Sequence, residues 1–120
     1  MSYYQISGEW HLTEWRGEDM TSGDRYVYIS LESRDRAFNI YQNVDSAVPV
    51  HYSGTFELVY DEENGMNLVN GLYDHEYGFW NNDYIVRLQD EDTMVWTSSA
   101  DDTDISVYRR ADIPGEVAGM

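Results

Sequence analysis

The sequence predicts an all-β fold, with residues 1–120 forming one domain built as an eight-stranded antiparallel up-and-down β-barrel. First, a two-residue alternation rich in Tyr, Val, Ile, Trp and Phe recurs along the chain, whereas helical periodicity is hard to find. Second, long and short connections alternate between the predicted strands. Third, the sequence offers no helix to cover a sheet face, so closure into a barrel is the way to pair both edge strands.

Eight segments carry the strand pattern. They are residues 8–16, 25–32, 36–42, 50–60, 66–73, 83–88, 93–98 and 104–110. Residues 1–7 and 111–120 lie outside this pattern, and we expect them to be peripheral tails. Gly54 and Gly71 fall inside strands, where glycine often marks a bend or a bulge of the kind that a small barrel needs.

The connections order the strands. Residues 33–35, 61–64 and 89–92 are short and acidic, and Asn64-Gly65 is a strong hairpin signal. The longer connections are residues 17–24, 43–49, 74–82 and 99–103. In an up-and-down sheet alternate connections fall at the same end, so the long loops meet at one rim. A two-sheet sandwich is the main alternative, and its Greek-key connections would not produce this regular alternation.

The charge of the chain excludes several classes of partner. The formal net charge is −16, from 23 acidic residues against 7 basic ones. Such a surface repels nucleic acid and anionic lipid. No apolar stretch is long enough to span a bilayer, so we expect no membrane insertion of this chain. The chain has no cysteine, which excludes disulfides and thiolate chemistry.

The first strand carries the segment Gly8-Glu9-Trp10, which looks like the Gly-x-Trp signature of lipocalins. More specifically, the chain resembles small lipocalin-like proteins of bacteria, many of them exported and of undefined function. A central strand like Tyr52-Ser53-Gly54-Thr55-Phe56 and a final Val-Tyr-Arg strand recur in them. The resemblance implies that Trp10 packs across the closed end of the barrel under an arginine near the end of the last strand. Arg109 or Arg110 occupies that region, and we assign the role to Arg109.

The chain departs from the larger lipocalins in three respects: it has no Thr-Asp-Tyr-like loop motif, no disulfide, and no predicted helix after the barrel. The resemblance implies localisation in the periplasm or at the cell surface, with any leader or lipid anchor outside this sequence. A cytoplasmic location stays open.

Trp10 and Trp15 lie five positions apart on the first strand. Since side chains alternate along a strand, this odd spacing predicts that they point to opposite faces. The resemblance implies that Trp10 faces inward, together with Leu12, and we then expect Trp15 to lie on the other face near the rim of long loops. Trp15 would then be a surface aromatic residue, a loop anchor or a partner contact.

The rim of long loops is the predicted binding site, because tyrosine and tryptophan combine an apolar ring with a polar atom and suit amphipathic ligands. The predicted ligand-binding residues are Tyr41, Tyr52, Tyr73, His75, Trp80, Tyr84 and Trp96. The predicted function is non-enzymatic binding of a small, partly apolar molecule. In the alternative, the rings fill the barrel, and residues 74–82 together with Trp15 form a surface for a protein or glycan.

The sequence gives little support to catalysis. His11, His51 and His75 are far apart and lie in no recognisable nucleophile or metal motif. Acidic clusters such as residues 100–104 do not follow the spacing of a calcium-binding loop, and solubility explains them better. We therefore expect no enzyme activity, no metal and no cofactor.

Overall fold

The fold is taken from a computed structural model that describes residues 1–44, 47–75 and 78–119. The two helices are α1 (Tyr3–Ile6) and α2 (Gly115–Ala118). The strands are β1 (Gly8–Trp15), β2 (Glu18–Asp19), β3 (Val27–Glu32), β4 (Ala37–Gln42), β5 (Val50–Asp61), β6 (Met66–Tyr73), β7 (Gly78–Phe79), β8 (Tyr84–Asp90), β9 (Thr93–Ser98) and β10 (Ile105–Arg110). The eight longer strands are those that the alternation predicts, with boundaries that differ by two residues at most.

The strands form a closed antiparallel barrel, which confirms the predicted fold. The longer strands pair in chain order from β1 through β3, β4, β5, β6, β8 and β9 to β10, and β10 pairs back with β1. The short strands β2 and β7 lie in two of the long connections and pair with β1 and β6. Closure leaves none of the eight longer strands at a free edge, as the absence of a covering helix requires.

Side chains alternate between the barrel interior and the outer face. In β3 the inward positions are Val27, Ile29 and Leu31, all of them buried. Inward residues of the eight strands, together with Ile6 and Met20, make up one hydrophobic core cluster. Its largest fully buried members are Trp10, Phe38, Phe56, Ile6, Met20, Met94 and Val69.

The prediction that residues 1–7 and 111–120 are peripheral is wrong for part of each segment. Ser2 caps α1 with a capping box, and this short helix places Ile6 in the core with no exposed surface. Tyr3 packs on the core, and its hydroxyl oxygen accepts a hydrogen bond from the Leu58 N–H at 2.9 Å. Val117 in α2 is also buried. Apolar side chains in these segments escape a period-two search because they belong to single helical turns.

The predicted opposite placement of the two tryptophans is also wrong. Leu12 pairs with Tyr108, but Glu14 pairs with Val107, so the register shifts at Thr13. Such a bulge adds one residue to a strand and reverses the alternation beyond it. Trp15 consequently pairs with Ser106 and lies on the interior side, the same side as Leu12. It is 41% exposed because it sits at the rim.

Within the described part of the chain, no helix has the length and apolar character required to cross a membrane.

Candidate ligand-binding cavity

Side chains do not fill one end of the barrel interior. The ends of β1, β4, β6 and β9 and the starts of β3, β5, β8 and β10 surround a cavity of about 940 Å³. Its lining residues, among those described, are Trp15, Val27, Ile29, Ile40, Gln42, Val44, Val50, His51, Tyr52, Tyr73, Trp80, Asn81, Asn82, Tyr84, Trp96, Asp104, Ser106 and Tyr108. This end is where the long connections were expected to gather.

The cavity brings together most of the predicted ligand-binding residues. Five of them line it: Tyr52, Tyr73, Trp80, Tyr84 and Trp96. The four on strands point inward because each lies an even number of positions from buried residues of its own strand, as Tyr52 does from Gly54 and Phe56. Tyr73, for example, lies opposite Gly54, two positions before the fully buried Phe56.

Tyr41 and His75 are the two predicted residues that do not line the cavity. Tyr41 pairs with Tyr28 and His51 on the outer face, and its ring stacks on His51 at 4.4 Å between centroids. Its neighbour Ile40 takes the inward position, so the strand alternation excludes Tyr41 from the site. His75 is exposed, in a turn with a φ of 62°.

Trp80 lies in the connection between β7 and β8, yet its side chain enters the barrel. The backbone N–H of Trp80 donates to the Gly71 carbonyl oxygen at 2.8 Å. A Cβ at position 71 would come within 2.2 Å of the indole, so only glycine leaves room for the ring there. Trp80 also packs edge-on against Phe38 with centroids 5.2 Å apart. It therefore lies between the filled core and the cavity and forms part of the cavity floor.

An aromatic cluster extends from Trp80 along one wall. Trp96 lies 5.8 Å from Trp80, 5.5 Å from Tyr84 and 5.2 Å from Tyr108 between ring centroids. The indole N–H groups of Trp80 and Trp96 are buried and have no hydrogen-bond partner within the described chain. Buried donors without an acceptor are uncommon in a well-packed core, because each one lowers the stability of the fold. This wall therefore carries two indole N–H donors that the described chain does not pair.

The rim carries a charged group that the sequence analysis did not select. The Trp15 Nε1 donates to Asp104 Oδ1 at 2.9 Å, across the β1–β10 junction. Asp104 immediately precedes β10, at the end of the barrel where the long connections were expected. That position is a signal in the sequence, although the composition of residues 100–104 by itself indicates only an acidic turn that favours solubility.

Two tyrosines beside the rim have shifted acidities. Burial raises the pKa of Tyr84, and the negative charge of Asp104 adds to that rise. Burial likewise raises the pKa of Tyr108 far above its usual value, with smaller contributions from Tyr84 and Asp104. Both hydroxyls therefore stay protonated at neutral pH and offer neutral hydrogen-bonding groups to the cavity.

The opposite end of the barrel is closed around Trp10. Its ring is fully buried, and its Nε1 donates to the Ile6 carbonyl oxygen at 3.0 Å. The guanidinium of Arg110 lies over the indole, 4.1 Å from the ring centroid. It also donates to the carbonyl oxygens of Ser7, Gln5 and Glu91 at 2.7–2.9 Å. Arg110 thereby fixes the Trp10 ring, α1 and the turn before β9 to one another.

The assignment of the closing arginine to Arg109 is wrong. Trp10 pairs directly with Arg110, so these two residues share the inner face, whereas Arg109 pairs with His11 on the outer face. Arg109 donates instead to the Thr93 hydroxyl at 3.1 Å. Gly8 explains why glycine begins the Gly-x-Trp segment, because a Cβ there would lie 2.7 Å from Arg110 Nη1. Its φ of 122° is also one that other residues rarely adopt.

The described residues contain no group of three or more His, Asp or Glu side chains placed to hold a metal ion.

No protein-family model, curated protein or solved structure matches this chain. The fold itself therefore defines the class of protein: an eight-stranded antiparallel β-barrel, compatible with a lipocalin-like fold, with a cavity at one end.

Proposed function

We propose that this protein binds a small, partly apolar molecule non-covalently in the cavity at the open end of the barrel, without catalysing a reaction. The observation that carries the proposal is the contrast between a filled lower half and a cavity of about 940 Å³ above it. Small-molecule sites typically measure about 300–1,000 Å³ and combine apolar walls with a few polar groups. Aromatic walls with Asn82, Gln42 and Asp104 at the rim match that description.

Titration with a neutral aromatic probe tests this proposal. We expect 2-naphthalenemethanol to bind the wild-type protein with 1:1 stoichiometry in isothermal titration calorimetry. Ile40→Trp would fill the cavity from β4 and should abolish binding. Tyr41→Trp is the matched control, since it adds bulk at the adjacent position on the outer face and should leave binding unchanged. Equal binding by both variants would place the probe outside the barrel and contradict the proposal.

Native mass spectrometry of the freshly purified protein addresses the natural ligand. A mass excess that disappears on denaturation would reveal a co-purified molecule and give its mass. A clean mass would shift support toward the second candidate.

The second candidate is a scaffold that presents an aromatic surface to a protein or glycan. It is favoured by Phe79 and Leu72, which pair across β6 and β7 on the outer face and are 74% and 42% exposed. Exposed apolar neighbours of this kind are typical of interaction surfaces. Phe79→Ser with Leu72→Ser should then abolish partner capture, while the naphthalene probe still binds. If capture persists in this variant, the scaffold candidate loses its supporting observation.

We further propose that the chain is an exported bacterial protein of the small lipocalin-like type. The support is the closed barrel together with the pairing of Trp10 and Arg110 at its closed end. Fractionation of the source cells, with detection by antibody, would test this, and recovery in the cytoplasm alone would contradict it.

A further inference from the structure

The charged side chain that lines the cavity is acidic. Among its described lining residues, Asp104 is the one carboxylate, and no arginine or lysine is present. His51 is the one basic side chain among them, and its ring stacks on Tyr41 on the outer face. A carboxylate or phosphate on a ligand would therefore find no arginine or lysine on these walls. It would also enter against a protein with a net charge of −16. Both effects disfavour anionic amphiphiles.

Asp104 retains a negative charge for a ligand despite its protein partners. Arg16 lies 3.2 Å from Asp101 and 3.8 Å from Asp104, so one guanidinium is shared between two carboxylates. This group of three therefore carries one net negative charge. The Asp104 side chain is only 15% exposed, which reduces the screening of that charge by water. Asp104 and Tyr84 both line the cavity, and the negative charge of Asp104 adds to the raised pKa of Tyr84.

Aromatic rings lie at the same end of the cavity. Trp15 is hydrogen-bonded to Asp104, and one face of its ring lies under the Arg16 guanidinium, 5.4 Å from the centroid. Tyr84 and Trp96 line the adjacent wall and are the rings that face a ligand there. The faces of such rings attract cations, and tryptophan does so most strongly. A carboxylate with neighbouring aromatic rings is thus complementary to an organic ammonium group, while the wall of Trp80 and Trp96 accepts an apolar body.

We propose that the ligand is an organic cation: an apolar molecule whose ammonium group sits at Asp104 and the rim rings. This inference rests on the proposed function, since it needs the cavity to be a binding site. It defines the class of ligand and excludes fatty acids and other anionic lipids.

Three probes with the same naphthalene body and different polar groups test this charge preference by calorimetry. They are protonated 2-(aminomethyl)naphthalene, neutral 2-naphthalenemethanol and anionic 2-naphthoate at pH 7. We expect the ammonium probe to bind about tenfold more tightly than the alcohol, as one charge-assisted contact allows. The carboxylate should bind more weakly than the alcohol. An equal or reversed order would overturn the inference.

Two variants with the same change in net charge locate the effect. Asp104→Asn should reduce the ammonium-to-alcohol affinity ratio from about ten to near one. Asp102→Asn removes one charge from an exposed neighbour that does not line the cavity, and should keep the ratio. If both variants lower the ratio equally, the preference comes from the net charge of the protein and the assignment to Asp104 is wrong.

The outcomes also separate this inference from the proposed function. Binding of all three probes with equal affinity would leave the cavity as a binding site and overturn the cationic ligand class. Failure of every probe to bind would overturn the proposed function and this inference with it. The wild-type series decides the charge preference even if Asp104→Asn does not fold.

Discussion

The two ends of the barrel are built by the same strands yet have different interiors. At the closed end, Trp10, Phe38, Phe56 and Met94 meet from several strands and are all but completely buried. At the open end, aromatic residues of β5, β6, β8, β9 and β10 face aliphatic residues of β3 and β4. Val27, Ile29 and Ile40 are too small to reach the opposite rings, and the cavity remains between them. The comparison shows that the distribution of large and small inward residues decides whether a small barrel is filled.

The largest expected loss of stability distinguishes the two tryptophans of β1. Trp10→Ala should destabilise the protein by about 3–5 kcal/mol, because it leaves a large cavity in the filled half. Trp15→Ala should cost about 1 kcal/mol or less, because a half-exposed ring at the rim loses one hydrogen bond and little packing. Urea denaturation measures both. Similar losses would show that the open end is packed as tightly as the closed end.

The floor between the two halves offers a second test. Gly71→Ala should destabilise by about 1–3 kcal/mol, because the new methyl group overlaps the Trp80 indole and forces it toward the cavity. Acrylamide quenching of tryptophan fluorescence should increase at the same time. Gly115→Ala is the control, since a Cβ there meets nothing within 4 Å. Unchanged stability and quenching in Gly71→Ala would mean that Trp80 does not occupy the barrel.

The smallest expected difference in stability is between variants of the two arginines that end β10. Arg110→Ala should cost about 2 kcal/mol, because it removes the cation–π contact to Trp10 and the hydrogen bonds that hold α1. Arg109→Ala changes the net charge equally but should cost only about 0.5 kcal/mol. Thermal unfolding of the two variants compares them directly. A larger loss in Arg109→Ala would reverse the correction of the closing arginine.

Local patterns were sufficient for much of the site. Tyr52, Tyr73, Tyr84 and Trp96 are predicted from their closeness to the rim of long loops, and the alternation of their strands agrees with the inward positions that the structure gives them. Tyr41 was assigned by its closeness to the rim and not by its parity, although Ile40 and Gln42 beside it already indicated which face was inner. Trp80 was selected for the composition of its loop. Its insertion into the barrel depends on Gly71, a contact between two segments that no local pattern specifies.

The sequence alone predicts the strands, their order and the closure of the sheet. These properties follow from period-two alternation, the lengths of the connections and the need to pair edge strands, whereas the inward direction of Trp10 is what the resemblance to lipocalins implies. Tertiary contacts decide which side of the barrel Trp15 faces, which arginine covers Trp10 and how much of the interior the side chains fill. A bulge at Thr13, the register between β1 and β10, and the volumes of side chains facing each other across the barrel fix these features. Each depends on residues that lie far apart in the sequence, and for that reason only the folded chain reveals them.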